Sequence, residues 1–330
     1  MKKSIYVFNE GKFKRKDNTL YFETEQGKRY IPVEDINEIH VYGEVDLNKR
    51  FLEFLTQKEI ILHFYNNYGY YSGTYYPREH LNSGYMTLRQ AEHYLDEQRR
   101  LMLAKLFVQG ASANMLEVLK YYHNRGKNVA LALQSIGNLI DRIDESASVE
   151  VLMAVEGNIR DAYYSAFNTI IDKGDFLFEG RNRRPPRDRI NALISFGNTM
   201  TYTACLSEIY RTHLDPRISY LHTTNFRRFS LNLDIAEIFK PLLVDRIIFY
   251  LLARNMLRST HFENKMGGIL LNDKGRQVFV NEWEKRLRTT IKHRDIGHEV
   301  SYRRLIRLEL YKLEKHLIGE KPYKAFISRW

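Results

Sequence analysis

The sequence predicts an α+β protein in which a small N-terminal β-sheet domain is followed by a larger all-α C-terminal domain. Up to residue 76, short runs rich in Ile, Val, Tyr and Phe alternate with turn residues, a pattern typical of strands. From about Thr87 onward, apolar residues recur every three or four positions, which is the period of amphipathic helices. Pro77 and a stretch of small polar residues separate the two patterns. We therefore expect a β-strand domain at residues 1–77, a linker at 78–87 and a helical domain at 88–330.

The first domain is expected to contain one helix among short strands. The helix is predicted at Leu47–Lys58, because of its apolar residues Phe51, Leu52, Phe54 and Leu55. The strands are expected at Ser4–Asn9, Thr19–Thr24, Arg29–Val33, Ile36–Tyr42, Ile60–Tyr65 and Tyr70–Tyr76.

Two local signals stand out in the helical domain. Ser148 is a favourable N-cap for a helix at Val149–Ile171. A hairpin is expected at Gly268–Val280, with its turn at Asn272–Gly275.

The balance of charge favours a polyanionic partner. The chain has 330 residues, with 51 Lys and Arg against 40 Asp and Glu and a formal net charge of +11. The first 78 residues carry 12 basic and 11 acidic side chains, so the excess lies in the later part. The start of the chain lacks the apolar run of a secretory signal, and no apolar run is long enough to span a bilayer. With Cys205 as the single cysteine, these features predict a protein of the reducing cytoplasm without a membrane partner.

Glu156 falls on the apolar face of the helix predicted after Ser148. It follows Leu152 by four residues and precedes Ile159 by three, so the helix turns a carboxylate inward. Because an unpaired buried charge is costly, this carboxylate needs a cation, a proton or a solvent-filled cleft. The alternative is a glutamate that pairs with a buried arginine or lies at the edge of the apolar stripe.

A second polar cluster combines His222, Asp234 and Glu237. The two acids are three residues apart on a helix that begins near Ser230, so they share one face and can both point at one cation. His222 precedes this helix on a loop. Imidazole with carboxylates suits Mn²⁺ or Mg²⁺ with water, and also Zn²⁺ or Fe²⁺. The alternative is that the acids stabilise the helix dipole and that the histidine is structural.

Two basic segments are candidates for contact with phosphate. Several arginines surround a Pro-Pro turn ahead of a helix, and guanidinium groups at the start of a helix suit phosphate oxygens. The final helices add further basic side chains. The predicted DNA-binding residues are Arg181, Arg183, Arg184, Arg187, Lys285, Arg286, Arg288 and Lys292. The alternative is a solvated loop with internal ion pairs and ordinary charged helix faces.

Four motifs occur in an order and spacing that are more specific than any one of them. They are Tyr71–Pro77 (YSGTYYP), Met153–Gly157 (MAVEG), Arg184–Gly197 (RPPRDRINALISFG) and Phe229–Arg246 (FSLNLDIAEIFKPLLVDR). The common phosphate-loop, dinucleotide-binding and zinc-protease motifs do not occur. Together the four motifs resemble the integrase family of CRISPR spacer acquisition, and the resemblance covers nearly the whole chain.

The resemblance implies one divalent metal ion, Mg²⁺ or Mn²⁺, in the helical domain. Glu156, His222 and Glu237 match the catalytic residues and metal ligands of the family. Asp234 matches a further acidic position, either an additional ligand or a group behind the ligands. The family's N-terminal β-domain pairs two subunits, which implies a homodimer, and a small dimeric companion protein of the adaptation module bridges two such dimers. The DNA partners implied are single-stranded, double-stranded and branched, and include the CRISPR repeat and the captured prespacer.

The function implied is a metal-dependent DNA integrase and endonuclease that inserts captured foreign DNA into a CRISPR array. A 3′-hydroxyl of the fragment would attack a phosphodiester at the end of a repeat, and water in its place would give cleavage. One alternative is a structure-selective, metal-dependent repair nuclease that acts on branched DNA. Another is a DNA-binding scaffold without catalysis, which is disfavoured because it leaves the carboxylate of Glu156 without an evident partner.

Overall fold

The structure is a computed structural model, and it describes residues 2–66, 68–78, 81, 83–183, 185–223, 229–265, 267–293 and 297–328. The chain forms two compact units, Met1–His80 and Leu81–Trp330. The first contains strands and one α-helix and the second is mainly helical, so the predicted fold class is confirmed. Arg184 of the predicted DNA-binding set and Asn82 of the predicted linker lie outside the described residues. None of the helices in the described ranges is both long enough and apolar enough to cross a membrane.

The first unit contains two four-stranded sheets. Its elements are β1 (Lys3–Val7), β2 (Gly11–Lys16), β3 (Thr19–Thr24), β4 (Gly27–Ile31), β5 (Ile36–Val41), β6 (Val45–Asp46), α1 (Lys49–Lys58), β7 (Ile61–Tyr65) and β8 (Tyr71–Tyr75). One sheet has the strand order β1-β5-β7-β8 and the other β4-β3-β2-β6. In the first sheet β1, β5 and β7 are parallel, and β8 is antiparallel to β7.

Strand β5 is buried on both of its faces. Ile39 and Val41 belong to the hydrophobic core of this unit, together with Phe51 of α1. Because side chains alternate along a strand, Glu38 and His40 lie on the opposite face of the sheet. That face is polar and aromatic, although it is also buried.

The sequence does not predict strand β2, because four of its six residues are Lys or Arg. Phe13 is buried at its centre. Lys14 lies 2.6 Å from Glu23 of β3, and the guanidinium of Arg15 lies 4.3 Å from the centre of the Phe54 ring. Contacts across the sheet and with α1 therefore determine this strand more than apolar alternation does.

The second unit is a bundle of helices with two small hairpins. Its helices are α2 (Gly84–Leu95), α3 (Glu97–His123), α4 (Ala130–Glu145), α5 (Val149–Tyr164), α6 (Phe167–Ile171), α7 (Arg189–Ile209), α8 (Leu231–Lys240), α9 (Arg246–Ala253), α10 (Asp273–Arg288) and α11 (Tyr302–Leu317). The hairpins are β9 (Phe262–Lys265) with β10 (Gly268–Leu271), and β11 (Thr290–Lys292) with β12 (Glu299–Ser301). Helix α8 packs against α3 and α7 and is almost wholly buried.

The helix predicted at Val149–Ile171 is interrupted. Its start is as predicted, because the Ser148 hydroxyl accepts a hydrogen bond from the Val151 N–H at 3.3 Å. A turn at residues 165–166 then ends α5 and separates it from α6.

The hairpin predicted at Gly268–Val280 is wrong in position. Strand β10 ends at Leu271, and Asn272 is the N-cap of α10, where its Oδ1 accepts a hydrogen bond from Gly275 N at 3.0 Å. Asparagine favours both turns and helix caps, so the sequence alone does not separate the two.

Helices α8 and α9 are joined by a π-helical turn, Pro241–Asp245. Pro241 has no backbone N–H, so the regular hydrogen-bond ladder of the helix is interrupted at this residue. All five residues of the turn are buried. The turn places the carboxyl group of Asp245 in the interior, directly after α8.

Candidate metal centre

Glu156 lies at the edge of the buried face of α5. Leu152, Val155 and Ile159 on this face are buried, whereas the Glu156 side chain is 14% exposed. Its carboxylate can therefore reach both buried groups and an incoming ligand.

The guanidinium of Arg160 lies between two carboxylates. Its Nε donates a hydrogen bond to Glu156 Oε1 at 2.8 Å, and its Nη2 contacts both Glu156 and Glu237. The carboxylates of α5 and α8 thus converge on one nitrogen atom. The arginine-paired glutamate, which the sequence left open as an alternative, is present here. A DNA-binding scaffold was disfavoured from the sequence because Glu156 had no evident partner. That premise was wrong, since Arg160 is four residues away on the same helix.

Glu237 is held among positive groups inside the unit. Lys240 Nζ lies 2.5 Å from Glu237 Oε1, one helical turn along α8, and both side chains are buried. Burial alone would raise the pKa of Glu237, but Arg160 and Lys240 outweigh it and hold this pKa well below its ordinary value. Burial would likewise lower the pKa of Lys240, yet the Glu237 charge raises it. Both groups therefore carry their charges in the folded protein.

His222 lies on the loop before α8, with its ring between two acids. Its Nδ1 is 2.8 Å from Asp234 Oδ1, and its Nε2 is 3.9 Å from Glu237 Oε1. Burial opposes protonation of the ring, but the contact with Asp234 raises the pKa of His222 above its ordinary value. With Nδ1 on Asp234, the Nε2 atom faces the carboxylate of Glu237.

Asp234 is fully buried and holds the loop that carries His222. Its Oδ2 accepts hydrogen bonds from the backbone N–H groups of Tyr220 and Leu221 at 2.6 and 3.0 Å. Its Oδ1 accepts from the backbone N–H of His222 at 3.0 Å and also faces the ring of this residue. Both oxygens are thus engaged by the loop, so Asp234 is placed behind His222.

The donor groups of this site fit a divalent metal ion. Two carboxylates that converge on one point and an imidazole nitrogen are the ligand types that Mg²⁺, Mn²⁺ and related ions accept. The carboxylate of Asp234 behind the ring is the arrangement that commonly orients a metal-binding histidine. Glu156, Glu237 and His222 would hold the ion.

Comparison with known proteins places the chain in a family. The family model described as CRISPR associated protein Cas1 matches residues 5–285. The chain belongs to the Cas1 family. A relative from Thermodesulfovibrio yellowstonii, named CRISPR-associated endonuclease Cas1 2, is 58% identical over 330 residues and is covered completely, as is this chain. The predicted resemblance is confirmed, and it assigns the chain to the Cas1 endonuclease family of CRISPR adaptation.

Solved structures share the Cas1 fold. The Cas1 protein of Thermotoga maritima is 48% identical, with a TM-score of 0.89 over 99% of this chain and 100% of its own. A structure titled as a casposase bound to integration product has a TM-score of 0.89 at 21% identity, over 100% of this chain and 96% of that one. A Cas6-RT-Cas1–Cas2 complex has a TM-score of 0.86 at 18% identity, over 100% of this chain and 36% of that one. At these two lower identities the likeness is one of fold.

The predicted DNA-binding residues of this Cas1-family chain divide into two groups. Arg181 donates to Asn191 Oδ1 at 2.7 Å and to Ser195 Oγ at 3.1 Å, and Arg286 donates twice to the carbonyl of Leu242. These two arginines bind internal acceptors, and burial lowers the pKa of each. The exposed members of the set are Arg183, Arg187, Lys285, Arg288 and Lys292.

Asp245, which the sequence did not single out, lies in the interior near the site. Burial raises the pKa of its carboxyl group from the ordinary 3.8 to about 7, although Tyr163, Arg160 and Lys240 partly oppose this shift. Between about pH 4 and pH 7, the carboxyl group of Asp245 therefore stays protonated in the folded protein, whereas it has lost its proton in the unfolded chain. The contribution of Asp245 to the free energy of unfolding is fully present below the ordinary pKa of 3.8 and is lost as the pH rises toward about 7.

We expect the change in the free energy of unfolding caused by Asp245→Asn to be more stabilising at pH 8 than at pH 4.5. The shift corresponds to about 3–4 kcal/mol in the difference between variant and wild type, because each pKa unit is worth about 1.4 kcal/mol. Urea unfolding of both proteins at the two pH values measures this difference. A variant effect that is the same at both would show that Asp245 titrates normally.

Proposed function

We propose that this chain is a DNA integrase and endonuclease that depends on Mg²⁺ or Mn²⁺ held by Glu156, His222 and Glu237. The observation that carries the proposal is the convergence of the carboxylates of Glu156 and Glu237 on a single nitrogen of Arg160. The imidazole of His222 lies 3.9 Å from the second of these carboxylates. The shared fold with a casposase bound to integration product supports strand transfer by analogy of fold.

In the proposed reaction, a 3′-hydroxyl of captured DNA attacks the phosphorus of a phosphodiester at the end of a CRISPR repeat. A new phosphorus–oxygen bond forms, the bond to the leaving oxygen breaks, and this oxygen gains a proton. A divalent cation held by Glu156, His222 and Glu237 would supply stabilisation of the negative charge that develops on the phosphate oxygens. Asp234 orients the imidazole of His222, while Arg160 and Lys240 hold the pKa of Glu237 low. With water as the attacking group, the same site would cleave DNA.

The test is integration into a supercoiled plasmid that carries a CRISPR repeat, with and without the small dimeric companion protein. We expect joined products at the ends of the repeat, which require Mg²⁺ or Mn²⁺ and increase when the companion is present. A Cas1–Cas2 complex among structures of the same fold supports this choice of companion. Cleavage of branched DNA without any joined product would instead favour a repair nuclease.

We also propose that the exposed basic residues contact DNA phosphates. Arg183 and Arg187 flank the Pro-Pro turn and are exposed, while Asp188 next to them is the N-cap of α7 and accepts a hydrogen bond from Asn191 N at 2.7 Å. This cap gives the turn a fixed connection to a long buried helix. The positive side chains are thus presented from a rigid base, which favours contact with a charged backbone.

Replacing Arg183 and Arg187 with alanine should reduce the salt dependence of DNA affinity. Each lost phosphate contact lowers the log–log slope by about 0.9, so we expect a slope smaller by about 2. Binding measured across several salt concentrations checks this. The control is Lys16→Ala with Arg50→Ala, two exposed residues of the first unit, where charge is balanced. A slope unchanged in the first variant would show that the turn is merely solvated.

The first unit is proposed to pair two copies of the chain. Strand β4 is an edge of its sheet, and its first four residues are exposed, with Tyr30 59% exposed. Edge strands offer backbone groups to a second strand, so pairing with another subunit would cover this one. We expect a dimer for the full chain and a monomer for residues 88–330 in sedimentation velocity, with circular dichroism as the folding control. A stable dimer of the fragment would contradict this assignment.

A further inference from the structure

Glu38, His40 and His63 form a buried group on one face of the β1-β5-β7-β8 sheet. His40 of β5 is directly opposite His63 of β7, and Glu38 precedes His40 by two residues on the same face. One ligand atom from each lies within 4.8 Å of the others. Among the described residues, no other group of three His, Cys, Asp or Glu side chains has its ligand atoms this close together. Their exposures are 0%, 2% and 0%.

We propose that Glu38, His40 and His63 bind a structural Zn²⁺ ion in the first unit. This site is separate from the metal centre on α5 and α8 and does not depend on the proposed function. Two imidazole nitrogens and one carboxylate oxygen are a common zinc ligand set, whereas Mg²⁺ and Ca²⁺ favour oxygen ligands.

The spacing of donor atoms supports a tetrahedral ion. His40 Nε2 lies 3.5 Å from Glu38 Oε1, and this nitrogen makes no hydrogen bond within the described structure. Zinc bonds of about 2.1 Å in tetrahedral geometry place neighbouring donor atoms about 3.4 Å apart. The observed separation is therefore that of two ligands of one ion. The ring centres of His40 and His63 are 5.0 Å apart, which lets both rings approach the same point.

Groups behind the ligands orient them toward this point. The Nδ1 of His40 lies 2.8 Å from the Tyr65 hydroxyl, and the Nδ1 of His63 lies 2.8 Å from the Thr74 hydroxyl. Each ring would therefore bind the ion through its Nε2, with Nδ1–H donating to a hydroxyl oxygen. Such an outer hydrogen bond is the usual companion of a metal-binding histidine.

Two contacts on the β1 side fix the remaining orientations. The Ser4 hydroxyl donates to Glu38 Oε1 at 2.5 Å, and the Tyr6 ring stacks on His40 with centres 4.5 Å apart. The strand register aligns these residues, since Ser4 is opposite Glu38 and Tyr6 is opposite His40. The group is thus built across all four strands of the sheet, and it is held rigidly.

A cation also explains why polar groups stand in a buried sheet face. An ionised carboxylate beside two imidazoles in the interior is costly unless a positive charge offsets it. The alternative is a metal-free network in which a proton is shared between Glu38 and His40. Because the site is buried, zinc would enter during folding, and its binding would add to the stability of the first unit.

The experiment uses the full chain, unfolded with a chelator and refolded with or without Zn²⁺. The protein carries Glu156→Ala, so that the proposed site on α5 and α8 does not contribute. After dialysis, we expect one tightly bound zinc ion per chain by mass spectrometry, with two imidazole ligands by X-ray absorption. We also expect a higher melting temperature in the zinc-loaded sample. Loss of the zinc on dialysis, or zinc without imidazole ligands, would overturn the proposal.

Histidine variants locate the ion. His63→Gln should abolish the zinc content and the thermal stabilisation, whereas His123→Gln, at an exposed position of α3, should retain both. Zinc bound equally by the two variants would place the ion elsewhere and refute the assignment. If His63→Gln fails to fold, the X-ray absorption spectrum of the parent protein still decides the question, because it reports the ligands directly.

Discussion

Strand transfer and DNA cleavage are expected to fall together by about three orders of magnitude in Glu156→Ala, because the ion that would stabilise charge at the scissile phosphate loses a proposed ligand. The variant removes one of the two carboxylates that converge on Arg160. Folding should persist, since Arg160 keeps its contact with Glu237, and the loss of one partner of a partly buried ion pair costs about 1–3 kcal/mol. Mn²⁺-supported integration into a supercoiled plasmid measures the effect.

Asp161→Ala is the matched control, because Asp161 is an exposed acid on the same helix. It should keep wild-type activity. DNA affinity at low salt should survive in both variants, since the proposed DNA-binding residues are separate from the site. Near wild-type strand transfer by a well-folded Glu156→Ala protein would eliminate the proposed metal centre.

Asp234→Ala is expected to reduce both stability and activity. It leaves the backbone N–H groups of Tyr220, Leu221 and His222 without their acceptor, and each unsatisfied buried donor costs about 1–3 kcal/mol. We therefore expect the free energy of unfolding to fall by at least about 3 kcal/mol. Because the imidazole of His222 also loses its orienting group, metal-dependent cleavage should fall by about 10–100-fold. Urea unfolding and cleavage rates measure these two effects.

A conservative variant separates a positioning residue from a metal ligand. Asp234→Asn keeps one oxygen that can accept hydrogen bonds from the loop, so it should recover part of the lost stability. The Mn²⁺ affinity of Asp234→Asn should change less than the Mn²⁺ affinity of Glu237→Gln, because the second substitution alters a proposed ligand directly. Equal loss of Mn²⁺ affinity in both variants would contradict the positioning role of Asp234.

Much of the fold could be predicted because the local patterns agree with the tertiary structure. Strand β3 alternates, β5 and β7 carry several apolar residues beside buried polar ones, and Ser148 is a strong cap. Strand β2 was missed because its basic residues make their favourable contacts with other elements. The end of α5 and the role of Asn272 were missed because turn and cap residues have similar local preferences.

The site was only partly accessible from the sequence. Glu156, His222 and Glu237 were singled out from helix faces and family motifs, and their role as ligands stays a prediction. Arg160 and Lys240 carry a readable signal, four and three residues after an acid on the same helix. That spacing is common on solvated helices, so only the tertiary structure shows that these pairs meet. The opposition of His40 and His63 depends on the order of strands in the sheet, which one sequence does not reveal.

Arg160 has a consequence for how metal and DNA would influence each other's binding. The guanidinium of Arg160 and the ammonium of Lys240 balance the carboxylates of Glu156 and Glu237, so these four charges sum to zero. Because the guanidinium contacts both carboxylates, a divalent ion held by Glu156 and Glu237 would displace it, and the released positive charge would need a new anionic partner. A phosphodiester at the opening of the site would supply one. We therefore expect positive cooperativity, in which DNA tightens metal binding by the same factor as metal tightens DNA binding.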